Sequence, residues 1–318
     1  MSAAPYAIGV DVGGTKIAAV LIDRQGTIRA RSFVLVPPEV TGDGVIDICA
    51  AAIREVQGAV ALKDLAGVGL AIPGFIDVAQ QKILRCVNLP LADCDVCGRL
   101  REATGLPTVM DNDATLAMFG EARYGAARGV RHALMLTLGT GVGGGLLIDG
   151  ELYHGARGLA AEVGHIVLVA DGDPCPCGGR GHLESYLGRG ALAQRAREAA
   201  RSPEGAGIQA AAEGDPEAVT AETLLDAAQA GDAAADRILR DAGELLGLAL
   251  VTFVNLLSPE LIIIAGGLGE RAPQLIDAAR DRLTREHPTG LADVQVVAGQ
   301  GGNDAGALGA AALAFESS

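Results

Sequence analysis

Two similar glycine-rich turns constrain most strongly what this sequence can fold into. Residues 8–23 (IGVDVGGTKIAAVLID) predict an apolar strand, a tight Gly-Gly-Thr turn and a second apolar strand. Residues 132–149 repeat that order, with a Gly-Thr-Gly turn between apolar strands and an aspartate, Asp149, matching Asp23 at the end. The repeat predicts an internal duplication in which two halves face each other across a cleft and hold one nucleotide between them.

The first turn carries groups that suit an anionic ligand. Gly13 and Gly14 let the backbone double back and approach a ligand closely. Asp11 lies inside the apolar run, where an unpaired carboxylate is costly to bury, so we expect it to face a ligand or metal ion. Thr15 offers a hydroxyl and Lys16 a cation, and together they predict a site for nucleotide phosphates.

Two better-known nucleotide motifs do not fit these turns. Gly139, Gly141 and Gly144 have the spacing of the dinucleotide-binding motif, but that motif opens a helix and here a strand continues at residues 146–148. Residues 9–16 resemble a P-loop, yet Thr15 precedes Lys16, and a P-loop has the lysine first. Neither a Rossmann domain nor a P-loop domain is therefore expected.

Length and composition limit the classes of function. The chain has 318 residues, enough for two domains, and its net charge of -14 disfavours nucleic acid or an anionic membrane as a partner. No basic leader and no apolar run of about 18 residues is present, so neither a signal peptide nor a membrane helix is expected. We therefore expect a cytoplasmic protein, in whose reducing environment clustered cysteines indicate metal binding or catalysis.

The order of predicted elements indicates an α/β fold. Residues 6–110 read as strand-strand-strand-helix-strand-helix-strand, with a small hairpin at 77–88 and a helix at 93–104. That order predicts a mixed sheet with helices on its faces. Further along, residues 202–216 predict an exposed loop. Thr220 is predicted to cap a helix without a capping-box partner. Residues 232–257 predict a long helix whose second half is deeply buried.

Polar residues cluster after one predicted strand. Asp111, Asn112 and Asp113 follow the strand at 106–110 and precede a helix, which indicates either a ligand site or simple helix capping. Glu162 and His165, three residues apart, are predicted on one face of a short helical turn. The glycines at 266–269 follow a buried strand, and they fit either an adenosine contact or an ordinary strand-to-helix turn.

The cysteines and histidines suggest a metal site. Cys175 and Cys177 are followed by His182, and His165 lies upstream, so four candidate ligands fall within residues 165–182 of a chain with only five histidines and six cysteines. They predict a Cys2His2 zinc site, the alternative being free thiols and a surface histidine. We interpret Cys94 and Cys97 as structural, because the acidic neighbours at 93 and 95 raise a thiol pKa; a redox role or an alternative metal site is the weaker interpretation.

Together these segments resemble the ROK family of bacterial sugar kinases, within the actin/hexokinase/Hsp70 ATPase superfamily. The resemblance runs in the family's order over nearly the whole chain and is carried by DVGGTK (11–16), DNDA (111–114), LGTGVGGGLLIDG (138–150), AAEVGH (160–165), CPCGGRGHLE (175–184), AGG (265–267) and NDAGALGAAALA (303–314). It implies a two-domain, ribonuclease H-like α/β fold with a cleft between the domains. It also implies ATP-dependent phosphorylation of a hexose hydroxyl, first of all glucose to glucose 6-phosphate, with N-acetylglucosamine, N-acetylmannosamine, fructose or mannose as alternative substrates.

The resemblance also implies residue roles. Asp113 corresponds to the catalytic base, and Asp11 is expected beside Mg²⁺ and the phosphates of ATP, facing Asp113 across the cleft. The implied sugar ligands are Gly74, Asn112, Asp113, Glu162, His165 and Glu184. The implied ATP ligands are Asp11, Gly13, Gly14, Thr15, Lys16, Thr140, Gly141, Gly266 and Gly267. A structural Zn²⁺ is implied at His165, Cys175, Cys177 and His182.

The sequence departs from the usual ROK pattern at two positions. His182 stands where the family usually has cysteine, and Ala161 stands where it usually has glycine. We expect domains at 1–117 and 118–302, the final helix (303–318) returning to the first, in a homodimer. The ROK family also includes sugar-sensing repressors, but the first strand begins by Tyr6 and leaves no room for their N-terminal DNA-binding domain; an Hsp70-like ATPase would lack Glu162, His165 and Glu184.

Overall fold

The computed structural model describes residues 4–86, 89–92, 94–286 and 294–317. Its strands are β1 Tyr6–Val12, β2 Lys16–Asp23, β3 Ile28–Leu35, β4 Leu65–Ile72, β5 Phe75–Asp77, β6 Lys82–Arg85, β7 Thr108–Asn112, β8 Ala133–Leu138, β9 Val142–Ile148, β10 Glu151–Leu152, β11 Leu261–Ala265 and β12 Gln295–Ala298. Its helices are α1 Gly42–Gln57, α2 Val96–Thr104, α3 Asp113–Tyr124, α4 Glu184–Leu187, α5 Arg189–Ala200, α6 Ala206–Ala211, α7 Ala221–Gln229, α8 Ala233–Leu257, α9 Gly266–Arg271, α10 Pro273–Glu286 and α11 Ala305–Glu316.

The chain forms two compact units, and both predicted turns join neighbouring strands. Unit 1 comprises Met1–Arg131, Gly145–Ala161 and Gln300–Ser318, and unit 2 comprises His132–Gly144 and Glu162–Gly299. The predicted boundary near residue 117 falls inside α3, which belongs whole to unit 1. Neither glycine turn opens a helix, since β2 and β9 follow directly, which confirms the exclusion of the P-loop and Rossmann domains.

The two five-stranded sheets have the same strand order. The first is β3-β2-β1-β4-β7 and the second is β10-β9-β8-β11-β12. Numbered within its own half, each reads 3-2-1-4-5, with the glycine turn between the first two strands. The shared order confirms the internal duplication that the two turns predict, and the mixture of strand directions confirms the α/β class.

In unit 1 the sheet carries helices on both faces. The core on one face joins the strands to α1 and α2, through residues such as Val45, Ile53 and Leu100. On the other face α11 packs closely, because a Cβ atom added to Gly69 would lie only 1.8 Å from the backbone oxygen of Ala310. The strands β1, β4 and β7 are mutually parallel, so their carboxyl ends lie along one edge of the sheet.

Several local predictions need correction. The predicted loop at 202–216 contains α6, whose Ile208 is fully buried. The helix cap at Thr220 is a full capping box, because the Thr223 hydroxyl accepts the Thr220 N–H at 2.8 Å, the task usually given to glutamate. The long helix α8 is confirmed, but its end is not buried, since Leu256 is 75% exposed.

Part of one predicted hairpin and the start of one predicted helix lie outside the described residues. The predicted hairpin at 77–88 is present as β5 and β6, but its last two residues lie outside the described residues, as does Asp93 at the start of the predicted helix. Among the described residues, no helix is both long enough and apolar enough to cross a bilayer.

Candidate active site

The polar residues of unit 1 meet at the carboxyl-end edge of its sheet. Asp11 lies near the end of β1, Gly74 follows β4, and Asn112 and Asp113 join β7 to α3. They come together because the three strands are parallel neighbours. The expectation that Asp11 faces Asp113 across the cleft is wrong, because both residues belong to unit 1 and their charges interact there.

Asn112 shows that capping and site geometry coexist at this corner. Its Oδ1 accepts the N–H of Thr115 at 3.0 Å and so caps α3, while its Nδ2 donates to the backbone oxygen of Gly74 at 3.0 Å. Gly74 has φ of +124°, and a Cβ there would lie 2.2 Å from the backbone oxygen of Arg85, so the turn requires glycine. The capping interpretation therefore accounts for Asn112 and not for Asp113.

Burial perturbs both carboxyl groups, and repulsion from Asp113 adds to the effect on Asp11. Burial and then the nearby Asp113 raise the pKa of Asp11 to about 7, while Lys16 acts in the opposite direction. Burial also raises the pKa of Asp113, although Asp113 accepts the N–H of Ala114 at 2.9 Å. Two carboxyl groups with raised pKa values on one edge are characteristic of a functional site and of a position that favours a bound cation.

A second carboxylate at this corner has a partner that the sequence analysis missed. Asp111, only 2% exposed, bonds through Oδ2 to Nε2 of His154 at 2.6 Å. Hydrogen bonding to Asp111 raises the pKa of His154, which favours the charged pair. The two residues are 43 positions apart and no spacing rule connects them, so only the fold could reveal the contact.

In unit 2 the second glycine turn contacts Glu184 and α5. Glu184 accepts the N–H of Val142 at 2.9 Å, and a Cβ on Gly141 would lie 2.3 Å from the same carboxylate oxygen. The N–H of Arg189, at the start of α5, donates to Gly139 at 3.0 Å. The turn is thus held by its neighbours, and a side chain at residue 141 would displace the Glu184 carboxylate.

The glycines after β11 lie close to the same region of unit 2. Gly266 has φ of +85° and begins α9, so it serves as a strand-to-helix turn. A Cβ on Gly267 would lie 3.2 Å from Nη2 of Arg189, a guanidinium that also pairs with Glu222 at 3.1 Å. Arg189, which the sequence analysis did not single out, therefore adds a cation between the two glycine segments.

Four side chains of unit 2 form a possible metal centre. The ligand atoms of His165, Cys175, Cys177 and His182 all lie within 4.8 Å of one another. The buried Nδ1 of His165 has no hydrogen-bond partner among the described residues, as expected of an atom that awaits a ligand. Two sulfur and two imidazole donors at this spacing fit tetrahedral Zn²⁺.

Similarity to known proteins decides the family. The family model described as "ROK family" matches residues 7–317. The chain belongs to the ROK family. A glucokinase of Streptomyces coelicolor is 35% identical over 315 residues, covering 97% of each chain. A xylose repressor of Bacillus spizizenii is 28% identical over 98% of this chain and 78% of the repressor.

A solved ROK structure supports the same assignment. The ROK family glucokinase from Streptomyces griseus, in complex with glucose and AMPPNP, is 33% identical and superposes with a TM-score of 0.87, covering 98% of this chain and 99% of the other. This likeness confirms the two-domain fold of the actin/hexokinase type that the sequence predicts, and together with the relatives it shows that this ROK protein is a sugar kinase.

The thiol of Cys97 and the backbone at Ala161 bear on two of the sequence predictions. Burial and then Asp95 raise the pKa of Cys97 to about 12, which supports a structural role over a reactive thiol. Ala161, where ROK proteins usually have glycine, takes φ of +63°. Ala161 therefore adopts a left-handed conformation that favours glycine and that costs an L-residue free energy.

Proposed function

We propose that this ROK protein transfers the γ-phosphate of ATP to a hydroxyl of glucose, giving glucose 6-phosphate. The edge of unit 1 that carries the carboxylates supports the proposal, because it places Asp113, a half-buried acid at the start of α3, beside a second acid and a phosphate-type turn. The chain is similar to glucokinases over nearly its full length, which supports glucose as the substrate. One of those glucokinases has AMPPNP bound, which supports ATP as the donor.

Asp113 is the proposed general base. Its carboxylate accepts the proton of the sugar hydroxyl as that oxygen attacks the γ-phosphate, and such assistance contributes about 10²- to 10⁴-fold to the rate. The raised pKa of Asp113 brings its proton affinity closer to that of the hydroxyl it serves. The remaining rate enhancement comes from positioning and charge neutralisation, as in other phosphoryl transfers.

The proposed nucleotide ligands lie in both units. In unit 1 they are Asp11, Gly13, Gly14, Thr15 and Lys16, and in unit 2 they are Thr140, Gly141, Gly266 and Gly267. Bound Mg²⁺ neutralises phosphate charge, and the acidic group of Asp11 suits a position beside it because Mg²⁺ prefers oxygen ligands. Glycine in the turns leaves the backbone N–H groups accessible to phosphate oxygens.

The proposed sugar ligands are Gly74, Asn112, Asp113, Glu162, His165 and Glu184. Carboxylates suit this task because each accepts hydrogen bonds from two hydroxyl groups. Within unit 2, Glu162 and His165 lie 4.0 Å apart, and Glu184 is fixed by the N–H of Val142. These contacts hold the acceptors in place before the sugar binds.

We propose that His165, Cys175, Cys177 and His182 bind one structural Zn²⁺. With four protein ligands no coordination position stays open, so zinc supplies no catalytic group and only stabilises the loop. Cys175 also lies 3.6 Å from Glu184, which connects the metal loop to a proposed sugar ligand. A homodimer, a cytoplasmic location and a place in glycolysis remain expectations from the family.

The chain is also similar to a xylose repressor, so a sugar-binding repressor is the alternative that an activity measurement must exclude. ADP release should be measured with ATP-Mg²⁺ and a panel of glucose, mannose, fructose, N-acetylglucosamine and N-acetylmannosamine. We expect the highest kcat/KM with glucose. Sugar binding without turnover by any member of the panel would instead support the repressor.

The base assignment has its own test. Asp113→Asn should still bind sugar through the other proposed ligands but lose about 10²- to 10⁴-fold in kcat. Asp95→Asn, which removes an acid from the N-cap of α2, serves as the control and should retain turnover. A near-normal kcat for Asp113→Asn would remove Asp113 from the mechanism.

A further inference from the structure

The ion pair between His154 and Asp111 lies beside the corner that carries Asp113. Asp111 uses both carboxylate oxygens: Oδ2 contacts Nε2 of His154 at 2.6 Å, and Oδ1 accepts the N–H of Asn112 at 2.7 Å. A carboxylate that is 2% exposed needs such partners, because an unpaired buried charge is strongly destabilising. The orientation of Asp111 therefore controls the backbone at Asn112.

The corner continues from Asn112 to the proposed base. The side chain of Asn112 holds both Gly74 and the first turn of α3, and α3 begins at Asp113. The contacts thus run from His154 through Asp111 and Asn112 to the start of α3, all within unit 1. Each contact is a hydrogen bond of 3.0 Å or less.

Backbone hydrogen bonds fix the segment that carries His154. Its backbone oxygen accepts the N–H of Ala160 at 3.1 Å, and the adjacent Tyr153 N–H donates to Leu146 at 2.8 Å. Its side chain is 29% exposed, so it is neither a core residue nor a freely moving surface group. A fixed backbone and one strong partner are the requirements for a residue that positions another.

Most of the charged side chains around this corner are acidic. Asp111 of β7 faces His154 directly, and the strand register places Asp11 of β1 in the same row, with Ala71 of β4 between them. Asp113 and Asp304 act on Asp11 with the same sign, and Lys16 opposes them. His154 adds a positive charge to this predominantly acidic edge.

We propose that His154 is a positioning residue for phosphoryl transfer, fixing through Asp111 the strand-to-helix corner on which Asn112 and Asp113 are placed. This inference rests on the proposed kinase function. His154 acts through Asp111 rather than on either reactant, and it keeps Asp113 within reach of the hydroxyl.

Substitutions of His154 with different chemistry test the proposal. His154→Phe keeps the ring volume but loses donor and charge, so we expect kcat to fall about 10- to 100-fold, as for an ångström-scale misplacement of a catalytic group, with KM for ATP unchanged. His154→Arg restores a charged donor to the carboxylate and should recover most of kcat.

Three outcomes would overturn the positioning role. They are an unchanged kcat in His154→Phe, an equal loss in His154→Arg, and a rise in KM for ATP as large as the fall in kcat. A measurement independent of activity keeps this inference separate from the proposed function: the pKa of His154, followed by NMR, should lie above its ordinary range and fall in Asp111→Asn. A His154 pKa that does not respond to Asp111 would exclude the ion pair itself, whether or not the protein phosphorylates glucose.

Discussion

Ala161 occupies a backbone conformation that L-residues adopt at a cost. Its φ is +63°, whereas φ of the preceding Ala160 is not positive. The left-handed conformation costs an L-residue about 1–2 kcal/mol, part of which is offset because glycine is more flexible in the unfolded chain. Ala161→Gly should therefore raise the free energy of unfolding by about 0.5–1 kcal/mol.

Chemical denaturation of the two alanine variants checks this expectation. Ala160→Gly is the matched control and should lower the free energy of unfolding, because it adds flexibility to the unfolded chain without relieving strain. A glycine at 161 that stabilises no more than the glycine at 160 would show that the conformation carries no cost.

The raised pKa of Asp11 predicts how stability depends on pH. The folded-state pKa is about 7 and the ordinary value is 3.8, so between these pH values the folded chain binds more protons at this residue than the unfolded chain does. Asp11 therefore lowers the free energy of unfolding as pH rises from about 4 to 7. Asp11→Asn should remove this contribution and melt at a higher temperature than the original protein at pH 8, while losing kinase activity.

Melting curves at pH 5 and pH 8 provide the measurement. The stability gain of Asp11→Asn should be larger at pH 8 than at pH 5, where the native group is already protonated. Asp64→Asn, at the surface of unit 1, should show no such difference. An equal gain at both pH values would mean that Asp11 is not the titrating group.

At the residue scale, the sequence predicted acids better than it predicted their partners. A carboxylate in an apolar run is costly, which points to Asp11, whereas Asp113 is singled out only by the resemblance of DNDA (111–114) to the ROK family; both lie at the sheet edge. His154 and Arg189 carry no such signal, because their importance depends on contacts with Asp111 and Gly267 that exist only in the folded chain.

At the scale of elements, strong hydrophobic patterns were reliable and weak ones were not. The long helix α8 was predicted within one residue of its observed start, whereas α6 was predicted as a loop. The six residues of α6 include a glycine and three alanines, and only Ile208 is buried, so the sequence offers little periodicity to detect. The matching sheets were predictable because the duplicated glycine turns mark their first two strands.

The metal loop is an element whose stability should depend on its ion. The metal loop, residues 166–182, contains isolated bridges, such as the one between Val167 and His182, but no helix or strand among the described elements, so zinc would supply much of its order. Removing the metal with a chelator should release about one zinc per chain, lower the melting temperature and raise KM for the sugar, because Cys175 adjoins Glu184.

A pair of cysteine variants separates metal loss from general damage. Cys177→Ser removes one proposed ligand and should bind less zinc, with the same rise in KM for the sugar. Cys94→Ser changes a cysteine of unit 1 that belongs to no ligand cluster among the described residues, and it should keep both the zinc and the kinetics. A zinc-free protein that stays folded and fully active would rule out the metal centre.

At the scale of the whole molecule, ligand binding offers a route to the substrate that does not require turnover. A ligand that binds only the folded chain stabilises it by an amount set by its concentration relative to Kd, about 2.7 kcal/mol at one hundred times Kd. Asp113→Asn is the appropriate protein, because it should retain the other proposed sugar ligands without converting the sugar to product. Its melting temperature should rise most with glucose, less with mannose, and least with the N-acetylhexosamines.

The same panel of sugars, measured once by melting temperature and once by ADP release, distinguishes the two candidate functions. A kinase should give the same ranking of sugars in melting temperature for Asp113→Asn and in ADP release for the unaltered protein, because one set of contacts determines both. A sugar-sensing repressor should show the melting shift without ADP release. A larger shift with an N-acetylhexosamine than with glucose would transfer the proposal to that sugar, since Glu162 and His165 would then accept hydroxyls of a differently substituted ring.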